Sequence, residues 1–208
     1  KLRVTIRPGQ TFSSYPNLKI RHATEWPSIR PEYEIGIPIT TNKSSFQKIT
    51  IRIRDLYVGM KQFGYFKYNI EGGFFVKGKP GYFSDFLHPV ANRISIPIDP
   101  DLSSFSLLPF YQYSTDKYYL QINFRHHFNG YVFDKIPLVN KTPLRLTLGS
   151  SALYVPDKGF YIEPYIGIEN FKIGPIHLFD IDYAFSFDSN GLRDHGIVFR
   201  ISQLIGSM

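Results

Sequence analysis

Three sets of side chains in this chain are of types that do chemistry. His126 and His127 are adjacent, Glu163, Glu169, Asp180 and Asp182 form a group of spaced carboxylates, and Ser150 and Ser151 follow Gly149. Neighbouring imidazoles suit a metal ion, and carboxylate pairs suit general acid–base work such as that of outer-membrane proteases. The element that carries each set limits what it can do. Consecutive side chains of a strand point to opposite faces, so two adjacent histidines in an extended segment cannot chelate one ion from one side. Ser150 and Ser151 lie inside an extended run and lack the strand-to-helix elbow of an activated serine. Asp180 and Asp182 share a face, and with Glu163 and Glu169 they read as an acidic patch opposite Arg125, Arg145 and Arg200. A salt-bridged or hydrated network is the expectation for these charges. No Gly-x-Ser-x-Gly element, phosphate loop or zinc spacing occurs. No enzyme activity, cofactor or metal site is therefore expected.

The positioning elements follow from a two-residue beat. Phe179, Ile181, Tyr183, Phe185 and Phe187 alternate with Asp180, Asp182, Ala184 and Ser186, which gives a strand one apolar and one polar or small wall. The same beat predicts strands near 2–7, 31–39, 47–57, 62–76, 104–113, 117–129, 143–155, 159–169, 176–187 and 194–203. Residues 18–21 are either an eleventh strand or a loop. Val155 to Gly159, Asn170 to Gly174 and Asp188 to Gly191 carry turn chemistry. Residues 77–103, rich in Gly and Pro, exceed the usual loop length and suggest a functional insertion. Residues 130–142 form a second long link. Gly72 and Gly73 are expected to relieve crowding or allow a bend.

Composition narrows the class. The 208 residues include fifteen Tyr and nineteen Phe, one Trp and no Cys, which suits one all-β domain spanning residues 1–208 and excludes disulfides. The net charge is +7, but Arg52, Arg54, Lys67, Lys117, Arg125, Arg145 and Arg200 are spread over many strands. Nucleic-acid binding needs a clustered basic footprint and is not expected. No run approaches the ~20 apolar residues of a membrane-spanning helix. The start, KLRVTIRPGQ, is unlike a signal peptide, so the chain is expected to begin after processing or to belong to a longer one.

A soluble sandwich or small barrel would show the same alternation, burying the apolar wall. Strands near the ~9–11 residues of a tilted bilayer crossing, and an apolar wall crowded with large side chains, favour lipid outside that wall instead. Tyr113, Tyr118, Tyr154 and Phe160 are candidates for aromatic girdles. The expected fold is an all-β, antiparallel transmembrane β-barrel of about ten strands.

Residues 113–155 and 159–170 resemble the C-terminal barrel of the BamA/TamA-like bacterial surface-antigen superfamily. The likeness is greatest to a Bacteroidota branch in which the barrel follows a carboxypeptidase-regulatory-like domain. It is carried by the stretch from Asp116 through His126-His127-Phe128-Asn129-Gly130 to Lys135-Ile136-Pro137-Leu138, which resembles that branch's strand and periplasmic turn. The resemblance implies the C-terminal part of a sixteen-stranded barrel, integral to the bacterial outer membrane. It also implies an inward-folding loop with an Arg-Gly-aromatic motif. Here that place holds Lys79-Pro80-Gly81-Tyr82-Phe83, with Pro where the Arg would stand, so the motif is incomplete. The expected function is envelope protein or lipid assembly or translocation, with Gly81, Tyr82 and Phe83 as the lumen loop. Ile197, Phe199 and Ile201 would form the seam strand, where an incoming strand pairs with edge backbone groups. Arg125, Arg145, Glu163, Asp180, Asp182 and Arg200 would be lumen charges. Expected partners are outer-membrane lipid and other envelope proteins or a larger outer-membrane complex. A structural or pore-forming barrel subunit is the alternative.

Overall fold

Turn residues cut the chain into strands long enough to form one broad wall. In the computed structural model, which describes residues 1–22, 24–38, 44–91, 102–173 and 176–201, eleven strands form. They are β1 (Leu2–Arg3), β2 (Phe12–Tyr15), β3 (Leu18–Arg21), β4 (Ser28–Gly36), β5 (Ser45–Gly59), β6 (Tyr65–Lys79), β7 (Tyr118–His127), β8 (Arg145–Val155), β9 (Gly159–Ile173), β10 (Ile176–Asp188) and β11 (Gly191–Ile201). Nine of them make a single sheet in the order β1, β4, β5, β6, β7, β8, β9, β10, β11, each antiparallel to its neighbours. The short β2 and β3 pair with each other, so residues 18–21 are a strand.

The all-β antiparallel expectation is met, but the sheet is not closed into a barrel. Among the described residues β1 and β11 are its two edges. Two boundary corrections bear on the site. No strand forms over 104–113, where Pro109 has no N–H to give to a ladder. Tyr111 there has a φ of +61°, unsuited to extended pairing. The connection between β6 and β7 therefore runs over residues 80–117 and not 77–103, and within it residues 92–101 lie outside the described residues. The strand expected over 2–7 is reduced to β1 and an isolated bridge between Ile6 and Ile29.

Burial in this sheet is inverted relative to an ordinary soluble domain. On the polar beat Asn69, Asn123 and Asp182 are 0% exposed and Glu163 is 2%, while on the apolar beat Ile122 is 42% exposed, Ile166 47% and Ile197 54%. The long connection covers the polar face. Its Leu87, Ala91, Phe105, Leu108 and Tyr113 pack with Tyr119, Leu153, Val155 and Tyr161 of the sheet, and Leu107 packs against Tyr165, Ala184 and Val198. Tyr113 thus belongs to this core and not to an aromatic girdle. Tyr118, Tyr154 and Phe160 do form a row on the opposite face, with ring centroids 6.4 and 4.7 Å apart.

Glycines on the covered face admit large neighbours. Gly73 is paired directly with Tyr119 and Gly149 with Tyr165. A Cβ on Gly73 would lie 2.7 Å from the Tyr119 ring, and one on Gly149 would lie 2.3 Å from the Tyr165 ring. The role expected for Gly73 is met in this form, because the tyrosine fills the room left by the missing side chain. Gly72, on the other face, meets only ordinary contacts.

Candidate functional site

Strand parity places Glu71, Tyr119, Gln121, Asn123, Arg125, Ser151, Glu163 and Asp182 on the covered face, and their hydrogen bonds sort them into separate groups. Arg52 and Tyr119 both donate to Glu71, the tyrosine hydroxyl at 2.5 Å. Next to it runs an amide chain. Asn69 donates to Asn123 Oδ1 at 3.2 Å, Gln121 donates to the same oxygen at 2.8 Å, and Asn123 donates to Ser151 Oγ at 2.8 Å. Buried polar groups cost free energy unless paired, and such chains pair them side chain to side chain.

The charged centre is a triad. Arg125 Nη2 lies 3.0 Å from Asp182 Oδ1, and Arg200 Nε donates to the other oxygen of the same carboxylate. Arg125 also donates to Thr147 Oγ1 at 3.3 Å. Both guanidinium groups lie over the Tyr165 ring, at 5.5 and 5.4 Å from its centroid. Gly167 clears the space, since a Cβ there would meet Asp182 Oδ1 at 1.9 Å. Two cations on one buried carboxylate make a structural clasp. Each oxygen of Asp182 accepts from a guanidinium.

Glu163 performs a different task. Its Oε1 accepts from the Ser106 backbone N–H at 2.7 Å, and its Oε2 accepts from the Leu107 N–H at 3.1 Å and the Tyr161 hydroxyl at 2.9 Å. Gln121 adds a bond from its Nε2 to the Ser103 carbonyl at 2.7 Å, and Arg200 reaches Ser106 Oγ at 3.3 Å. The long connection is therefore latched to β7 and β9 by its own backbone, through residues 103–107, and to β11 by the Ser106 hydroxyl.

The predicted lumen charges do not form one patch. Arg125, Asp182 and Arg200 come together, while Glu163 holds the connection and Asp180 accepts from the Asn170 backbone N–H at 3.0 Å. Arg145 is exposed at the sheet end and donates to Asn129 Oδ1 at 3.1 Å. The histidines diverge as strand geometry requires. His126 Nε2 contacts the Phe63 carbonyl at 2.9 Å, whereas His127 Nδ1 contacts Glu169 at 2.7 Å and its ring stacks on Tyr65. Among the described residues no group of three or more His, Asp or Glu side chains is disposed to hold a metal.

Gly81, Tyr82 and Phe83 sit at the start of the connection. Gly81 N–H donates to Ser44 Oγ at 3.0 Å, and Phe83 packs in an aromatic group with Phe86, His88 and Tyr111. Tyr82 and Phe83 are exposed, and the hydrogen bonds to the sheet face come from residues further along. Ile197 and Phe199 project from the edge strand β11, which among the described residues pairs with β10 alone; Ile201 continues that strand, and its side chain lies outside the described residues. Ser106, Leu107, Tyr119 and Gln121 were not singled out from the sequence. Gln121 and Tyr119 carried the signal of the polar beat, but nothing in the sequence marks two backbone amides as partners of a distant carboxylate.

No curated protein and no solved structure matches the chain. A family model described as the C-terminal domain of a family of unknown function, DUF5686, matches residues 1–168. With most of its length covered by that match, the chain belongs to the DUF5686 C-terminal domain family.

Proposed function

We propose that this chain forms a wall of an outer-membrane β-barrel that contributes to the assembly or translocation of envelope proteins or lipids. The observation that carries the reading is the inverted burial. Removing apolar area from water is worth ~25 cal/mol per Å², so a wall exposing Ile122, Phe124, Ile162, Ile166, Phe185, Ile197 and Phe199 together in water forgoes its largest stabilising term. Lipid around that face restores it. The buried polar face suits a side-chain-filled lumen, and the latched connection acts as its plug.

The edges of the sheet support the assembly role. Among the described residues β11 offers eleven residues paired on one side only, and backbone N–H and C=O groups along such an edge accept an added strand. The same edges suit the C-terminal part of a BamA/TamA-like barrel completed by further strands. A wide open pore is less well supported, because residues 103–108 occupy the covered face.

Fractionation tests the medium. The protein is expected in the membrane fraction, released by detergent, with gel migration that changes on heating; recovery in the aqueous fraction without detergent defeats the reading. Photo-crosslinking from positions 194–200 tests the role, since capture of nascent envelope proteins is expected for an assembly edge. Conductance across planar bilayers with no captured substrate favours the pore-forming alternative.

A further inference from the structure

The apolar wall carries aromatic side chains at both of its ends. At one end stands the row of Tyr118, Tyr154 and Phe160. At the other, where β5 turns into β6 and β7 leaves for β8, the β7–β8 link folds back onto the same face. His126 shares that face with Ile122 and Phe124 by strand parity. It is nevertheless only 9% exposed, with Phe128 edge-on to its ring at 4.3 Å and its Nε2 at 2.9 Å from the Phe63 carbonyl. Phe63 packs against Tyr131 at 4.8 Å, and Phe171 stacks on Phe179 at 5.3 Å near the same end. From Tyr118, the first residue of β7, the chain advances ten residues to Phe128, just past its last. At ~3.3 Å per residue and a tilt of ~45°, the two aromatic rows stand about 23 Å apart in depth, against the ~25 Å height of the apolar band of an outer-membrane barrel.

The link is a chain of turns and not a slack loop. The backbone N–H groups of Tyr131, Asp134, Ile136, Asn140 and Thr142 donate to the carbonyls of Phe128, Gly130, Phe133, Ile136 and Val139, all at 2.9 to 3.1 Å. Pairing the main chain within the segment is what removal from water demands. At the tip Leu138 holds a φ of +76° and a ψ of −44°, a rare and strained turn geometry for a bulky residue. Leu138 is 80% exposed, the highest value of any large apolar side chain among the described residues, and Ile136 is 42% exposed. Strained backbone persists where function rewards it, and displaying a leucine to water gives no such return. Lys135 Nζ lies 3.9 Å from the centroid of the Tyr131 ring, so a cation sits on the aromatic edge of the wall. Lys61 in the adjoining turn and Lys141 in the link are exposed, and Asp134 is the one carboxylate of residues 128–142.

We propose that the β7–β8 link anchors the wall to an anionic phospholipid surface, with Ile136 and Leu138 inserted at the boundary of headgroups and acyl chains and Lys135 on the phosphates. An ammonium above an aromatic ring, with aliphatic side chains beside it, matches such a boundary. The charge stays with water and phosphate while the apolar parts leave water. The surplus of lysine over carboxylate favours anionic over zwitterionic headgroups. Lipid that covers the wall is continuous with the link, because Phe128 and Tyr131 belong to both. This inference rests on the membrane reading of the wall and adds to it a docking segment outside the strands.

The chain has no cysteine, so a single introduced thiol takes a dansyl label at a chosen place. Leu138→Cys, Ile166→Cys in the wall and Asn190→Cys in the exposed β10–β11 turn are labelled and reconstituted in phosphatidylcholine vesicles with and without phosphatidylglycerol. Acrylamide, a neutral quencher, reads exposure to water, and lipids bearing a nitroxide at the headgroup or deep in the acyl chain read depth. With phosphatidylglycerol the Leu138 label is expected to be quenched by acrylamide about threefold less than the Asn190 label, and more by the headgroup nitroxide than by the deep one. Omitting phosphatidylglycerol, or adding Lys135→Gln, is expected to raise acrylamide quenching at Leu138 about threefold while leaving the Ile166 label unchanged. A Leu138 label as wet as the Asn190 label, with Ile166 protected, overturns the anchor and leaves a protein partner as the occupant of that tip. Protection at Leu138 that ignores both phosphatidylglycerol and Lys135→Gln overturns the anionic headgroup assignment. Failure of the membrane reading is distinguishable, because acrylamide then reaches the Ile166 label as well.

Discussion

Replacing Ile166 by Lys separates a lipid-facing wall from a water-facing one. Ile166 is at the middle of the fifteen-residue β9, paired with Leu148 and Tyr183, and its side chain is on the exposed apolar face. From Gly159 to Ile166 the strand advances about 23 Å at ~3.3 Å per residue, and a tilt of ~45° turns that into about 16 Å of depth. Half of a ~30 Å hydrocarbon core is about 15 Å, so on the proposed membrane reading Ile166 would sit near the midplane. A Lys at that depth costs roughly 2–4 kcal/mol, a factor of roughly 30 to 700 in the folding equilibrium. The same change on a wet surface stays within about 0.5 kcal/mol. Phe160→Lys, on the same face but next to the strand end, costs about 0–1 kcal/mol near a bilayer interface and serves as the control. Urea unfolding of the protein in phospholipid vesicles, followed by heat-modifiable migration, reads both values. If the two variants differ by less than about 0.5 kcal/mol, the wall does not face lipid and the depth reasoning fails.

Four further outcomes follow from the covered face. Asp182→Ala leaves Arg125 and Arg200 without their shared carboxylate and is expected to destabilise the fold by about 3–5 kcal/mol in the same urea assay; a loss under about 1 kcal/mol contradicts the clasp. Glu163→Gln keeps one acceptor for the Ser106 and Leu107 amides and is expected to speed hydrogen exchange at those two residues, with a loss of about 1–3 kcal/mol, while exchange in β10 stays unchanged. Gly149→Ala drives a methyl into the Tyr165 ring and is expected to cost about 1–3 kcal/mol, with Tyr165→Ala in the same chain recovering part of it. Burial holds the His88 imidazole in the connection below its usual value of 6.5. The folded state then disfavours its protonation, so the stabilisation is present above about pH 6.5 and is lost as pH falls toward the lower folded value. Amide exchange around residues 84–91 should therefore quicken below about pH 6.5, and His88→Gln should remove that dependence.

The long strands were legible because each carries a run with a period of two, and that beat puts Arg125, Asp182 and Arg200 on one face, where they meet. The segment 104–113 misled for a physical reason. Phe105, Leu108 and Tyr113 are buried by packing onto the sheet from above, which leaves an apolar pattern resembling a strand without a ladder. β2 went unread because four residues, Phe12–Tyr15, hold too little pattern to register. The Glu163 latch was invisible for another reason. Its donors are backbone amides 57 and 56 residues away, and a main-chain N–H leaves no mark in residue identity.

The latch also dictates an order of events during biogenesis. Residues 103–107 precede every strand to which they are tied, since Gln121, Glu163 and Arg200 all come later in the chain. While the polypeptide is being delivered, the connection must wait without acceptors until β9 has joined the sheet. Its last bond, to Arg200, forms only when β11 is in place. A nascent chain therefore carries a solvated, protease-sensitive tether between β6 and β7 until its C-terminal strands arrive, and protection of Ser106 is a timer for completion of the wall.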